Sequence, residues 1–137
     1  FMADIVDAET RSRMMSAICG KDTGPEMSVR RYLHACGLRY RLHLGRLPGR
    51  PDLVFPGHCT VVFVHGCFWH RHPGCQFATT PATRPAFWAG KFAQNVARDQ
   101  SNAAALVAMG WQVLTIWECE TRDPLVLDQL FWKILTG

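Results

Sequence analysis

The sequence has no apolar run of the roughly eighteen residues that a membrane-crossing helix needs, so we expect no membrane partner. It also lacks an internal repeat, a low-complexity tract and a polar linker, and its 137 residues predict a single domain spanning residues 1–137. No apolar leader for secretion is present, which argues against a disulfide framework for the six cysteines. We therefore expect a reducing location, cytoplasmic or associated with the nucleoid.

The composition is that of an ordinary globular protein, with 48% hydrophobic and 19% charged residues. The formal net charge is only +4, but the basic residues gather in the first half of the chain. They are Arg11, Arg13, Lys21, Arg30, Arg31, Arg39, Arg41, Arg46 and Arg50. This asymmetry is compatible with a polyanionic partner such as DNA, although a solvated basic surface would produce the same pattern.

The order of apolar segments and turn residues predicts an α/β fold. Helices are predicted over residues 8–18, 24–36, 85–109 and 124–135, and strands over 38–43, 52–55, 59–64 and 111–117. The uninterrupted apolar strand from Cys59 to Val64 is expected to lie in the middle of the sheet. The implied architecture is a central mixed β-sheet flanked by helices, with the strands near Asp52, Val64 and Cys119 close together.

One loop, from His65 to Cys75, contains three histidines and two cysteines directly after that buried strand. Its candidate zinc ligands are Cys67, His72 and Cys75, with Cys119 closing the set from a later strand. Thiolate and imidazole favour zinc, which takes four ligands in a structural site. The sequence alone leaves His70 as an alternative to His72. Buried cysteines can also act as small hydrophobes, with the histidines on a solvated loop, but that interpretation suits a single cysteine, and the clustering favours zinc.

Asp52 is the second candidate for chemistry, because it opens a predicted strand beside the one that delivers His65 and His70. A carboxylate can bind a hard divalent cation while a histidine moves protons, which is what phosphodiester hydrolysis requires. Glu26, on a predicted helix N-terminus, could add a second oxygen through water. The alternative is that Asp52 only caps a turn after proline.

Several short motifs run in a fixed order along nearly the whole chain. They are Asp22-Thr23 with Glu26, residues 47–52 (LPGRPD), residues 65–70 (HGCFWH), Ala82-Thr83-Arg84 with Phe87-Trp88, Asn95-Val96 with Arg98-Asp99, Gly110-Trp111, and Trp117-Glu118-Cys119. In these motifs the chain closely resembles the very-short-patch mismatch repair (Vsr) endonucleases, a branch of the restriction-endonuclease-like PD-(D/E)XK superfamily. The resemblance implies that fold, with a structural zinc site.

The resemblance also implies an activity: nicking of double-stranded DNA on the 5′ side of the thymine in a T:G mismatch, the lesion left when 5-methylcytosine deaminates. Asp52 falls at the family's magnesium-binding aspartate and His70 at its catalytic histidine. Glu26 and His65 fall at supporting active-site positions. Val64 replaces a threonine, so only its backbone carbonyl could contact the magnesium.

The resemblance assigns the zinc ligands as Cys67, His72, Cys75 and Cys119. It assigns Phe68, Trp69 and Trp88 to aromatic side chains that wedge into the duplex, with Met15 on an N-terminal arm of residues 1–20 as a wedge from the opposite groove. Core packing is the alternative for Trp88, which lies at helical spacing from Phe92. Cys19 stands where a basic residue is expected, which would weaken a phosphate contact.

The function implied is therefore a magnesium-dependent T:G mismatch nicking endonuclease that initiates very-short-patch repair in a bacterial-type cell. Its expected partners are mismatched duplex DNA, with a functional link to a cytosine-5 DNA methyltransferase and to downstream repair proteins. A monomer is expected, because one mismatch offers no two-fold symmetry. The alternatives are a nicking enzyme of the same fold with different specificity, and a zinc-stabilised DNA-binding module without catalysis.

Overall fold

The computed structural model describes residues 23–137. Its helices are α1 (Gly24–Ala35), α2 (Pro85–Ala108) and α3 (Pro124–Thr136), with short 3-10 helices at Pro56–His58 and Glu118–Glu120. Its strands are β1 (Arg41–Leu42), β2 (Leu53–Phe55), β3 (Thr60–His65) and β4 (Gln112–Trp117). None of the helices in this part of the chain is long and apolar enough to cross a membrane. The predicted helix over residues 8–18 lies outside the described residues.

The four strands form one mixed sheet in the order β1-β2-β3-β4, which confirms the predicted fold class. The first two pairings are antiparallel and the β3–β4 pairing is parallel. Leu53 pairs with Val62, and His65 at the end of β3 pairs with Trp117 at the end of β4. The register therefore brings the start of β2 and the ends of β3 and β4 to one edge of the sheet.

Helices cover both faces of this sheet. On one face α1 and α3 pack against β2, β3 and β4 through a cluster that includes Val29, Leu53, Val62, Ile116 and Leu130. On the other face Leu106 of α2 packs against Val54 and Val61. Alternate residues of β2 and β3 thus point into separate cores, which explains the uninterrupted apolar sequence of both strands.

The predicted strand over 38–43 was too long, because only Arg41 and Leu42 pair with β2. Leu38 instead packs into the core after the turn at Gly37, where φ is +96°. His43 ends the strand with a left-handed φ of 47°. The predicted strand over 52–55 begins one residue later, at Leu53, because the side chain of Asp52 bonds to β3.

The predicted helix of residues 85–109 is one continuous helix, α2, of 24 residues. Among its apolar residues, Phe92 and Leu106 are buried. Phe87 is 49% exposed, and Met109, just beyond the helix, is 55% exposed. The regular apolar spacing therefore predicted the helix correctly but did not identify which side chains the core covers.

Candidate active site and metal centre

Asp52 is fixed at the edge of the sheet by a hydrogen bond across the β2–β3 pairing. Its Oδ2 accepts the backbone N–H of Val64 at 2.7 Å. Burial raises the pKa of Asp52 to about 6, helped by the nearby negative charge of Glu26 and opposed by the Val64 N–H and by His43. Burial disfavours the ionised form of Asp52, and a cation bound beside it would stabilise that form.

Glu26 lies in the first turn of α1, where its backbone N–H donates to Oγ1 of the N-cap Thr23 at 3.4 Å. Its side chain is only 3% exposed. Oε2 lies 3.3 Å from Nη1 of Arg30 and 2.9 Å from Nε2 of His43. The helix thus carries a buried carboxylate towards Asp52, as the first-turn position of Glu26 predicted.

His65, His70 and Asp99 form the opposite side of the site. The rings of His65 and His70 stack in parallel with centroids 3.9 Å apart. Nδ1 of His70 lies 2.6 Å from Oδ2 of Asp99 on α2, a charge-assisted contact that fixes the imidazole. This arrangement directs the Nε2 edge of His70 away from the carboxylate, available for proton transfer.

Burial lowers the pKa of His65 to about 4, and the adjacent His70 lowers it further while Asp99 opposes the shift. His65 is therefore neutral at neutral pH. A neutral ring can stack on His70 without bringing a charge of its own into the cavity. His65 thus contacts His70 as a neutral ring and is not suited to serve as a cation.

A single cavity of about 910 Å³ joins the two sides. Its walls include Glu26, His43, Asp52, His65, His70 and Asp99. Val64 and Trp69 also line it. The structure therefore brings together all four residues predicted for catalysis. It adds His43 and Asp99, for which the sequence predicted no role.

Those two residues carried little signal in the sequence. Asp99 belongs to the Arg98-Asp99 motif of the family resemblance. It is 29 positions from His70, however, and no local spacing connects the two residues. His43 lies in a predicted strand, nine positions before Asp52, with no ligand-like pattern. Both residues are brought to the cavity by the tertiary structure, His43 from the end of β1 and Asp99 from α2.

The second cluster comprises Cys67, His72, Cys75 and Cys119, whose ligand atoms all lie within 4.8 Å of one another. Nδ1 of His72 is 3.6 Å from Sγ of Cys67 and 3.4 Å from Sγ of Cys119. Sγ of Cys75 is 3.9 Å from that of Cys119. Tetrahedral zinc bonds of normal length place such atoms about 3.5–3.8 Å apart, so this donor set fits zinc.

The two neighbouring histidines are clearly divided between the clusters. His72 faces the cysteines and stacks on Trp117 with ring centroids 4.4 Å apart, whereas His70 contacts Asp99. Burial raises the pKa of Cys67 to about 12, which disfavours its thiolate in the absence of a cation. The Cys/His cluster could hold a metal ion, and His72 is the histidine positioned to bind it.

Next to the cavity, Phe68, Trp69, Trp88 and Phe92 form a continuous aromatic cluster. Phe68 contacts Trp69 edge to face at 5.0 Å between centroids and Phe92 at 5.1 Å. Trp88 lies 6.1 Å from Trp69 and 5.6 Å from Phe92. Phe68, Trp69 and Trp88 are half-buried, so Trp88 is both packed and accessible. Met15 and Cys19 lie outside the described residues.

Comparison with known proteins identifies the family. The family model "DNA mismatch endonuclease Vsr" matches residues 3–76. The chain is 46% identical over 134 residues to the type II nicking enzyme V.XorIIP of Xanthomonas oryzae pv. oryzae, covering 98% of both chains. It is 45% identical over 121 residues to the DNA mismatch endonuclease Vsr of Escherichia coli K12, covering 88% of this chain and 77% of the relative.

The fold also has a counterpart among solved structures. The catalytic domain of the homing endonuclease I-Bth0305I superposes with a TM-score of 0.58 at 21% identity, covering 84% of this chain and 96% of that domain. The similarity confirms the fold, a mixed sheet with flanking helices. Together with the family match over residues 3–76 and relatives at 45–46% identity, it shows that the chain belongs to the Vsr family of DNA mismatch endonucleases.

Proposed function

We propose that this endonuclease nicks double-stranded DNA on the 5′ side of the thymine in a T:G mismatch, by magnesium-dependent hydrolysis that initiates very-short-patch repair. The single observation that carries the proposal is the shared cavity. It sets two carboxylates, Glu26 and Asp52, opposite a His70–Asp99 pair. Metal-binding oxygens and an oriented imidazole on one cavity are the parts needed for phosphodiester hydrolysis.

The carboxylate side suits magnesium because its donors are hard oxygen atoms. Asp52 would hold the ion directly, Val64 through its backbone carbonyl and Glu26 through water. Bound magnesium would polarise a phosphoryl oxygen and neutralise charge that develops on the phosphate. The raised pKa of Asp52, about 6, is in keeping with a carboxylate that needs a cation beside it.

The histidine side would handle the proton. Water attacks phosphorus as His70 takes a proton at Nε2, and Asp99 holds the ring at Nδ1 through the 2.6 Å contact. A P–O bond forms to the water oxygen and the bond from phosphorus to the 3′ oxygen breaks. The 3′ oxygen leaves with the bonding electron pair and takes a proton from solvent, and His70 returns its proton to solvent, so the products are a 5′-phosphate and a 3′-hydroxyl. His65 supports the orientation of the His70 ring.

The aromatic cluster would select the mismatch. Phe68, Trp69 and Trp88 are close to the cavity, and Met15 would approach from the other groove. Inserting apolar side chains between base steps costs a few kcal/mol per step in lost stacking. A mismatched pair is less well stacked than a matched one, so insertion there costs least and selectivity begins with deformability.

The Cys/His cluster would act as a structural zinc site and not as the catalyst. Cys67 is adjacent to Phe68, and His72 is two positions after His70. One ion held by Cys67, His72, Cys75 and Cys119 would therefore fix both the aromatic side chains and the catalytic histidine. The loop is tied in this way to Cys119, which follows β4.

We further propose that residues 1–137 act as one monomeric endonuclease domain and that residues 1–20 form an arm that contacts DNA. A functional link to a cytosine-5 DNA methyltransferase follows from the proposed lesion, because deamination of 5-methylcytosine creates the T:G pair. Downstream repair proteins would have to replace the nicked strand.

A same-fold enzyme with different specificity is the second candidate. It is favoured by one observation: V.XorIIP, a relative at 46% identity, is named as a type II nicking enzyme. An inactive DNA-binding module is less consistent with the structure, since a pure binder has no need of the buried Glu26, Asp52 and the His70–Asp99 pair.

The direct test is nicking of an end-labelled duplex that carries one T:G mismatch, with T:A and C:G duplexes as controls and the flanking bases randomised. We expect magnesium-dependent nicking 5′ to the mismatched thymine alone, with the surviving flanks defining the sequence preference. Equal nicking of matched duplexes would support the second candidate. Binding without any nicked product would support the inactive module.

A further inference from the structure

His43 occupies an unusual position between the two carboxylates of the cavity. It ends β1 with a left-handed φ of 47°, and its backbone N–H donates to the carbonyl oxygen of Asp52 at 3.3 Å. Its side chain is 12% exposed. A non-glycine residue held at positive φ is commonly one whose side chain has to be directed to a particular place.

The ring nitrogen Nε2 of His43 lies 2.9 Å from Oε2 of Glu26 and 3.9 Å from Oδ1 of Asp52. The 2.9 Å distance would allow a hydrogen bond, but the orientation of the His43 ring relative to Oε2 of Glu26 does not. Within residues 23–137 this buried nitrogen has no hydrogen-bond partner. A buried ring nitrogen without a partner is unfavourable. Its lone pair is therefore available to something other than the Glu26 carboxylate.

The same distances are those of ligands around one ion. In an octahedral site with bonds of about 2.1 Å, cis ligands are about 3 Å apart and trans ligands about 4.2 Å apart. The 2.9 Å and 3.9 Å separations of His43 Nε2 from the two carboxylates both lie within this range. Neighbouring ligands direct their lone pairs at a shared ion and not at each other, which would account for the missing hydrogen bond.

We propose that His43 Nε2 is a nitrogen ligand of the Asp52 metal site and makes that site prefer Mn²⁺ to Mg²⁺. The inference rests on the proposed function, since it refines the same cavity. Magnesium is bound best by oxygen, whereas imidazole adds affinity for transition ions. With His43 beside Glu26 and Asp52, the donor set is one nitrogen and two carboxylates, and Glu26 would then contact the ion directly and not through water. Manganese would then occupy the cavity at lower concentration than magnesium.

The test is Mn²⁺ binding to the zinc-loaded full chain without DNA, measured from the EPR signal of free Mn²⁺ and by competition with Mg²⁺. His43→Gln keeps a polar side chain of similar length but removes the ring nitrogen. We expect it to weaken Mn²⁺ binding at least tenfold and to lower the preference for Mn²⁺ over Mg²⁺. His34→Gln, at an exposed histidine outside the metal clusters, should leave Mn²⁺ binding unchanged.

A spectroscopic readout keeps the inference testable even if the variant folds poorly. Electron spin echo modulation of Mn²⁺ bound to the wild-type chain should show a directly coordinated ¹⁴N nucleus, and this coupling should disappear in His43→Gln. Absence of the coupling in the wild type would overturn the inference. So would an equal weakening of Mn²⁺ and Mg²⁺ binding in His43→Gln, which would indicate that His43 only positions Glu26.

Asp52→Asn separates this inference from the proposed function. If Asp52→Asn abolishes Mn²⁺ binding while His43→Gln leaves it intact, His43 is not a ligand, but the metal site stands. If Asp52→Asn leaves Mn²⁺ binding intact, the metal site of the proposed function is itself wrong, and His43 cannot be its ligand.

Discussion

The functional region has two parts, the strand-borne residues and the Cys/His loop, and different interactions hold each part in place. Asp52, Val64 and His65 lie on or beside paired strands, and backbone pairing of β2, β3 and β4 fixes them. The Cys/His loop, residues 66–80, has no strand or helix and lies between β3 and α2. Its conformation rests on backbone hydrogen bonds within its own turns and on side chains, namely the cluster of cysteines with His72 and the guanidinium of Arg71.

That difference divides the proposed activity into parts that can fail separately. Asp52, a proposed direct metal ligand, lies immediately before β2, in a sheet whose two core clusters contain no residue of the loop. The aromatic cluster and His70 instead depend on how the loop is tied down. We therefore expect changes in the strand-borne residues to remove nicking and leave DNA binding, and changes in the loop to affect both recognition and nicking.

Removal of one Cys/His ligand should have the largest effect. Cys75→Ser leaves three ligands, so we expect the bound zinc to fall from about one equivalent per chain to well below half. Because metal binding and local folding are coupled, both mismatch recognition and nicking should be lost. Zinc content by mass spectrometry and nicking of a T:G duplex measure this. Cys59→Ser, at an exposed cysteine outside the cluster, is the control, and equal loss there would contradict a specific metal role.

Asp52→Ala should remove nicking and spare binding. Loss of the carboxylate removes the ligand that places the cation against the phosphate, and we expect the rate to fall by about 10³-fold or more. Affinity for a T:G duplex, measured by fluorescence anisotropy, should change less than about threefold, because the loop is unaffected. Full nicking by this variant would remove Asp52 from the mechanism. Loss of DNA binding would show that the strand-borne residues and the Cys/His loop do not act separately.

The sequence predicted the sheet better than the site. The apolar runs 59–64 and 111–117 became β3 and β4 within one residue at each end. Both runs are short, mostly apolar and bounded by polar residues or glycine, which is the pattern typical of strands that pack against helices. The short β1 could not be recognised, since two paired residues leave no alternation to read. Its end is set by the backbone of His43, which turns towards the carboxylates.

Within the site, residues with local spacing or a known motif were predicted, and residues assembled by tertiary structure were missed. Cys67, His72 and Cys75 lie within nine positions, so one loop can gather them. Asp99 reaches His70 only because α2 crosses the ends of the strands. The Arg98-Asp99 motif contributed to the family resemblance, but the sequence assigned Asp99 no role, because its spacing does not connect it to His70.

Asp99→Asn should give the next largest effect. The amide keeps the size of the side chain but removes the charge that holds Nδ1 of His70, and general acid–base catalysis is worth about 10²-fold or more. We expect the nicking rate at saturating DNA to fall by about that factor, with a displaced pH profile and little change in DNA affinity. Asp128→Asn, which loses an exposed contact to Tyr32, is the control. An unchanged pH profile would reduce Asp99 to a packing residue.

Arg71→Lys should have the smallest effect and act on selectivity. Arg71 donates to the carbonyl oxygens of Phe68, Ala78 and Thr79, and its guanidinium lies 3.9 Å from the Phe92 ring centroid. A lysine keeps the positive charge, but its single nitrogen cannot donate to all three carbonyl oxygens as the guanidinium does. We therefore expect the free energy of unfolding to fall by about 1–3 kcal/mol. The preference for T:G over T:A should drop about tenfold as the aromatic cluster loosens, while bound zinc and metal dependence stay unchanged. Arg122→Lys is the matched control. Undiminished selectivity in Arg71→Lys would mean that the Cys/His cluster alone fixes the loop.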